Sequence, residues 1–228
     1  MHRLLRGLAA GDKNGGPIRL AMLLYDEVSK SGFTEKGVFQ AYYNWITTKG
    51  FDTGPTFEQV CFYVRGGCDI SQAVELTHWD MNQKTAGVGP AHRATPLALF
   101  YRGSALDDVV CREAKLSHYS SIASETSVVA ARLCSHLLDG FELEEAIHKA
   151  SVGMQHVSLA YLEMENRNKG GFGPNVLQTA LSFLREGGDF AHALNSSLQF
   201  AGPNNYCPVL VGSIGGCLFD RDENGQPW

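Results

Sequence analysis

The sequence predicts an all-α protein, a single compact multi-helix bundle of about ten helices that extends over residues 1–228. Three observations support this prediction. Apolar residues recur with helical spacing along the chain. Glycine and proline stand where helices are expected to end and begin. No useful stretch alternates apolar with polar residues as a strand would.

The apolar residues form stripes with the i, i+3, i+4, i+7 spacing of amphipathic helices. These stripes cover residues 18–28, 38–46, 57–64, 129–137 and 176–184. Pro55 and Pro174 lie in the first turns of predicted helices. The predicted helix ends carry Gly32, Gly50, Gly66, Gly140 and Gly187. A last apolar segment contains Gly212, Gly215 and Gly216, small residues that let a helix pack closely inside the bundle.

Composition narrows the class of protein. Hydrophobic residues make up 44% of the chain, charged residues 19%, and the net charge is -5 with lysine and arginine scattered, so no nucleic-acid partner is expected. No apolar run reaches the roughly 20 residues of a membrane span. The apolar patch near the N-terminus stops at Asp12, too early for a secretory signal. We therefore expect a cytoplasmic protein whose six cysteines are reduced thiols.

Six loops between the predicted helices carry polar side chains, and all but the fourth contain glycine. They cover residues 11–17, 50–56, 85–93, 116–121, 170–175 and 201–207. Polar groups on loops at the ends of helices are a usual way to build a site. The loops therefore predict one ligand-binding cleft at one end of the bundle.

The first two loops supply candidate carboxylates. Asp12 and Asn14 fit either an Asx turn that starts the next helix or a pair that grips sugar hydroxyls or a metal-bound water. Asp52 and Thr53 precede Pro55 in a similar way, and they fit either a helix cap or a catalytic role.

Two histidines and an arginine are candidates for ligand contacts. Arg93 follows a glycine-rich turn, where a guanidinium can clamp a phosphate or tie down the loop by bonding carbonyls. His92 and His118 can act as acid or base near neutral pH, or they can be satisfied structural groups.

The loops, in their order along the chain, resemble those of the ADP-ribosylglycohydrolase family, which includes the dinitrogenase reductase-activating glycohydrolase and a lens crystallin. "GLAAGDKNG" resembles the family's opening motif, and "GVGPAHR" resembles its Gly-Asn-Gly-x-x-Met-Arg motif. "LSHYSSIA" is similar to its Ser/Thr-His segment, and "AGPNNYCPVLVGSIGG" to its Gly-Gly-Asp-x-Asp-Thr segment and the helix that follows. The resemblance implies an all-α fold and cleavage of a glycosidic bond of ADP-ribose.

The same resemblance implies two magnesium ions held by acidic residues, and here the sequence departs from the family. The early acidic pair aligns with Gly15 and Gly16, and the late pair with Pro203 and Asn205. Mg²⁺ prefers charged oxygen ligands. We therefore expect no metal-binding residues and no paired Mg²⁺ centre, although Mg²⁺ is the cofactor that the resemblance implies.

The last loop carries amides where the family carries acids. Asn204 and Asn205 can donate to and accept from sugar hydroxyls, and Tyr206 offers a ring for stacking. The sequence thus predicts Asp12 and Asp52 as catalytic residues. It predicts substrate-binding roles for Asn14, Thr53, His92, Arg93, His118, Asn204, Asn205 and Tyr206.

Three functions stay open at this point. The first is a metal-independent glycosidase that acts on the ribosyl bond of an ADP-ribose-like or nucleoside-like substrate. The second is a non-catalytic ligand-binding or crystallin-like structural protein. The third is a metal-dependent hydrolase with an unusual ligand set. The expected partner is a small-molecule nucleotide or nucleoside, or an ADP-ribosylated protein.

Overall fold

The computed structural model describes residues 2–219 and contains thirteen α-helices and one 3₁₀-helix within them. The first seven α-helices are α1 (Arg3–Gly11), α2 (Gly16–Ser31), α3 (Glu35–Lys49), α4 (Pro55–Arg65), α5 (Ile70–Asp80), α6 (Gly89–Ala94) and α7 (Gly103–Ala114). The other six are α8 (Ser121–Leu138), α9 (Leu143–Ser151), α10 (Leu159–Leu162), α11 (Gly173–Arg185), α12 (Phe190–Ala201) and α13 (Cys207–Leu218). The 3₁₀-helix covers Thr95–Leu99.

The all-α prediction is confirmed, but the expected number of helices was too low. Short helices such as α6 and α10 cannot show a full apolar stripe, because the helical spacing needs about two turns to repeat. The predicted loop 85–93 is wrong in its second half, since α6 begins at Gly89. Between residues 2 and 219 the only β pairing is an isolated antiparallel bridge that joins Gly87 to Phe172.

The core is centred on α8 and α13. Helix α8 packs against α6, α7, α9, α11 and α13. Helix α13 is buried from Cys207 to Cys217. All six cysteines are free, and Cys61, Cys134, Cys207 and Cys217 are buried. Among the helices described, none is long and apolar enough to cross a membrane.

Helices α1 and α13 approach each other so closely that glycine is required at their crossing. A Cβ atom on Gly7 would lie 2.1 Å from the carbonyl oxygen of Gly212, and a Cβ on Gly212 would lie 2.1 Å from the carbonyl oxygen of Gly7. Real Cβ contacts at this distance do not occur, so any side chain would push the helices apart. This contact fixes the N-terminus of α13 beside the end of α1, where Asp12 lies.

Candidate functional site

A cavity of about 350 Å³ lies at one end of the bundle, where the six predicted loops converge. Each loop contributes at least one wall residue, from Pro17 in the first loop to Tyr206 in the last. The cavity is at the small end of the range for ligand sites, roughly 300–1,000 Å³. It therefore has room for a sugar-sized group, and a larger ligand would extend beyond it.

The structure brings most of the predicted site residues to this cavity. The wall includes Asp52, Thr53, His92, Arg93, His118, Asn205 and Tyr206. Three other predicted residues do not line it. The Asn14 side chain is exposed, and Asn204 donates its amide to the carbonyl oxygen of Lys169 at 3.1 Å. Asp12 is buried directly behind Asn205.

Asp12 is fully engaged in holding the local backbone. Its Oδ1 oxygen accepts from the backbone N–H groups of Asn14 (3.2 Å) and Gly15 (2.8 Å), and its Oδ2 accepts from Ile18 N–H (2.7 Å). These bonds form the predicted Asx turn and satisfy donors at the start of α2. Negative charge is also favourable at a helix N-terminus. The contacts of Asp12 are therefore those of a positioning carboxylate.

Asn205 lies between two carboxylates. Its Nδ2 nitrogen donates to Asp12 Oδ1 at 2.6 Å and to Asp52 Oδ2 at 2.7 Å. Its Oδ1 oxygen accepts from the backbone N–H of Lys13 at 3.1 Å. Because that N–H can only donate, it fixes the amide with its oxygen toward Lys13 and its two hydrogens toward the carboxylates. Asn205 therefore links the two carboxylates as a neutral double donor.

Asp52 is the exposed carboxylate of the pair, and its backbone is left-handed, with φ 51°. Asparagine and aspartate tolerate this conformation better than other side chains do. The cap interpretation is wrong for both Asp52 and Thr53. The N-cap of α4 is Gly54, without a side-chain cap bond, and the Thr53 hydroxyl instead donates to Glu58 Oε1 at 2.7 Å.

The Asp52 loop approaches the start of α2 through a gap left by Gly16. A Cβ on Gly16 would lie 2.5 Å from the carbonyl oxygen of Asp52 and 2.9 Å from its Cβ. The space that a side chain on residue 16 would fill is therefore taken by the backbone that carries Asp52.

The residues at this site do not fit a paired Mg²⁺ centre. Within residues 2–219, no group of three or more His, Cys, Asp and Glu side chains is arranged to hold a metal ion. Asp12 already accepts four hydrogen bonds, and Asn205 points nitrogen rather than oxygen at the carboxylates. Mg²⁺ requires oxygen ligands in near-octahedral geometry. We therefore derive no chemistry through a metal.

Arg93 forms a buried ion pair beneath the cavity rather than a loop tie to carbonyls. Its Nε donates to Glu113 Oε1 at 2.6 Å, and both side chains are almost completely buried. The guanidinium also lies over the rings of Tyr42 (5.4 Å) and Phe57 (4.9 Å), and Tyr42 donates its hydroxyl to Glu113 at 2.9 Å. Burial raises the pKa of Tyr42 well above its usual range, so it stays a donor.

His118 is linked to this ion pair through Ser117. The Nη2 group of Arg93 donates to Ser117 Oγ at 2.7 Å, and Ser117 Oγ lies 2.8 Å from His118 Nδ1. Burial, together with the positive charge of Arg93, lowers the pKa of His118 to about 3. His118 is therefore neutral at physiological pH and cannot act there as a cationic acid.

His92 positions the loop that carries Tyr206. Its Nε2 donates to the backbone carbonyl oxygen of Tyr206 at 2.9 Å. Burial lowers the pKa of His92 to about 4, so the ring is neutral with its proton on Nε2. The Tyr206 side chain is 38% exposed, which leaves part of its ring open at the rim of the cavity.

Sequence reasoning missed Glu113 and Ser117, which bind Arg93 and His118. Glu113 occupies a buried position of α7, one turn after Val109 and Val110. A charged residue at a position where the helical pattern expects an apolar one is a signal that could have found it, because buried charges are almost always paired. Lys84 and Gly171 also line the cavity without having been predicted.

Comparisons with known proteins agree with the fold. The ADP-ribosylglycohydrolase family model matches residues 17–223. Forty-five chains of solved structures match significantly. One is described as an ADP-ribosylglycohydrolase-related protein complex, with a TM-score of 0.73, 20% sequence identity, and coverage of 95% of this chain and 87% of that chain. Among curated proteins, no significant match was found.

The fold is therefore the helical fold of that solved chain. Since the family model covers most of the sequence, the chain belongs to the ADP-ribosylglycohydrolase family. The matched range begins after Asp12 and includes Asp52 and Asn205.

Proposed function

We propose that this protein hydrolyses the ribosyl glycosidic bond of an ADP-ribose-like or nucleoside-like substrate without a paired Mg²⁺ centre. Family membership supports the reaction class. One observation supports metal independence: the amide of Asn205 donates to both carboxylates at the cavity. The ligand is a small-molecule nucleotide or nucleoside, or an ADP-ribosylated protein whose sugar enters the cavity.

Asp52 is the residue we assign as the general base. It lies in the cavity wall and is exposed, and among the described residues only its Oδ2 oxygen is engaged, by Asn205. A carboxylate in this situation can accept a proton from water that attacks the anomeric carbon, and it can stabilise the positive charge that develops on the ribosyl ring. The proton passes to Asp52, the glycosidic bond breaks, and the leaving group takes a proton from solvent.

Asp12 acts in this proposal through Asn205. Asp12 holds one hydrogen of the Asn205 amide, and the other hydrogen points at Asp52. This arrangement orients the Asp52 carboxylate without neutralising its charge, because the amide is uncharged. Thr53 and Tyr206 then provide contacts to the sugar and to the rest of the ligand, while the ion pair of Arg93 with Glu113 holds the cavity wall in place.

Ligand binding without turnover is the second candidate. The observation that favours it is that both cavity histidines are neutral near pH 7, so neither supplies a strong acid for the leaving group. In that case the cavity would recognise ADP-ribose and Asp52 would only bind a hydroxyl group.

Two measurements separate these functions. Release of free ADP-ribose from N- and O-linked ADP-ribosyl substrates is followed with EDTA and with added Mg²⁺. The proposal predicts equal turnover in both conditions. Calorimetric binding of ADP-ribose with no turnover on any of these substrates would favour the second candidate. Turnover that EDTA abolishes and Mg²⁺ restores would contradict the proposal.

A further inference from the structure

We propose that the chain Glu113–Arg93–Ser117 fixes His118 as the tautomer with its proton on Nε2, and that this N–H is a hydrogen-bond donor facing the cavity. Its ligand group would be an oxygen acceptor: a hydroxyl, ring, carbonyl or phosphoryl oxygen. The inference rests on the cavity being the ligand site of the proposed function. The inference goes beyond that function because it identifies Nε2–H of His118 as a hydrogen-bond donor to the ligand, together with the residues that keep the proton on Nε2.

The direction of each hydrogen bond follows from the donors available. Arginine has no acceptor, so Arg93 Nη2 must donate to Ser117 Oγ. Ser117 Oγ accepts from Arg93, and among residues 2–219 its other hydrogen-bond neighbour is His118 Nδ1 at 2.8 Å. The buried hydroxyl hydrogen of Ser117 has an acceptor only when it points at Nδ1, which makes Nδ1 the acceptor. In a neutral imidazole whose Nδ1 accepts, the proton is on Nε2.

Arg93 itself cannot turn away from Ser117. Its Nε is held by Glu113 Oε1 at 2.6 Å, and the guanidinium is stacked over Phe57 and Tyr42. Arg93 is 1% exposed and Glu113 and Ser117 are 0% exposed, so water does not compete for these bonds. The neighbouring positive charge also opposes protonation of His118, which keeps the ring in the neutral form that the chain of bonds requires.

The opposite end of the His118 ring is left open by two glycines. His118 is 4% exposed and lines the cavity, and within residues 2–219 no hydrogen-bond partner is found for its Nε2. A Cβ on Gly87 would lie 3.3 Å from Nε2, and a Cβ on Gly89 would lie 3.5 Å from Cε1. A larger residue at position 87 would cover the nitrogen. The chain thus leaves space where a ligand oxygen can approach.

The tautomer is tested first, by ¹⁵N NMR of histidine-labelled protein between pH 6 and 8. We expect Nε2 of His118 to be protonated and Nδ1 to be unprotonated throughout. In Ser117→Ala we expect this preference to weaken, because Nδ1 loses its donor. Circular dichroism confirms that the variant is folded. A proton on Nδ1 of wild-type His118, or an unchanged preference in a folded Ser117→Ala protein, overturns the inference.

Binding of ADP-ribose by calorimetry tests the donor. His118→Leu should weaken binding by about three- to tenfold, the range for one neutral hydrogen bond, and His118→Gln should retain most of the affinity. Gly87→Ala leaves the hydrogen bonds of Glu113, Arg93 and Ser117 intact but places a methyl group near Nε2 of His118. It should therefore weaken binding without changing the tautomer. Equal affinity in wild type and His118→Leu overturns the donor role. If wild type binds no ADP-ribose, the ADP-ribose form of the proposed function fails, and the nitrogen shifts of His118 still decide the tautomer.

Discussion

The Nδ2 nitrogen of Asn205 lies 2.7 Å from the Oδ2 oxygen of Asp52, two residues that are far apart in sequence and meet at the wall of the cavity. The same nitrogen also holds Asp12 at 2.6 Å. An uncharged amide therefore links two carboxylates, and the start of α2, the Asp52 loop and the start of α13 are joined through it. The account of this site depends on that link.

Replacement of Asp52 by asparagine should abolish catalysis and spare the fold. Asparagine tolerates the left-handed backbone at this position and can still accept from Asn205, but it cannot take a proton from water. We expect turnover to fall by about 10²–10⁴-fold, with the free energy of unfolding within about 1 kcal/mol of wild type.

The control is Asp26→Asn on the exposed side of α2, which should change neither quantity. Turnover in Asp52→Asn within a factor of about three of wild type would remove Asp52 from the mechanism, because loss of a general base costs far more than that.

Replacement of Glu113 by glutamine should destabilise the protein strongly. It leaves the buried guanidinium of Arg93 without its counter-charge, and breaking a buried pair in this way costs about 3–5 kcal/mol. Urea unfolding measures the loss. Glu35→Gln is a matched control, because Glu35 accepts from Arg112 Nε at the same 2.6 Å but with half-exposed side chains.

Since solvent screens the Glu35 pair, its loss should cost less than about 1 kcal/mol. Equal losses of unfolding free energy in the two variants would mean that the buried Arg93–Glu113 pair stabilises the fold no more than a surface pair does.

Stability should fall as the pH is lowered from about 6.5 toward 4. Burial lowers the pKa of His92 to about 4 and that of His118 to about 3, whereas a histidine in the unfolded chain has a pKa near 6.5. Below pH 6.5 both rings are therefore protonated in the unfolded chain while they are still neutral in the folded protein. The unfolded state then binds more protons, and stability decreases as pH falls. Each histidine contributes about 1 kcal/mol per pH unit in this window.

Urea unfolding at several pH values measures this slope. His92→Gln and His118→Gln should each reduce it, because each removes one of the two buried neutral rings. A slope that is the same in wild type and in both buried-histidine variants would contradict the assignment of neutral rings.

The helices with long apolar stripes and the loops that form the cavity could be predicted from the sequence. Helix α6 could not be predicted, because it begins inside a segment that contains glycine and proline and is too short to repeat the helical spacing. Tertiary contacts stabilise such a helix more than its own composition does.

Within the site, the sequence indicated which polar residues converge, but not which atoms meet. Asp12 and Asp52 look alike in sequence, since each lies within a predicted loop that contains glycine. Only the fold shows that the oxygens of Asp12 are occupied by backbone N–H groups, while Asp52 is exposed at the cavity. The hydrogen bonds that connect Glu113 to His118 run from α7 through Arg93 of α6 to the loop that follows α7. No local sequence pattern could reveal contacts between these separate elements.

A variant with an acidic residue at position 205 tests whether the Asn205 amide excludes a metal ion from this site. Asn205→Asp removes both donated hydrogens and places a third carboxylate beside Asp12 and Asp52. In EDTA we expect a loss of about 2–4 kcal/mol in the free energy of unfolding, from lost hydrogen bonds and like-charge repulsion. Asn204→Asp, next to it but outside the cavity wall, should have a much smaller effect.

The most direct measurement of the central claim is the thermal unfolding temperature of wild type and Asn205→Asp during a Mg²⁺ titration. Because a ligand that binds only the folded state raises this temperature, we expect no saturable shift for wild type and a clear upward shift for the variant. A saturable rise for the wild-type protein, reversed by EDTA, would contradict the claim that the Asn205 amide stands in place of a metal.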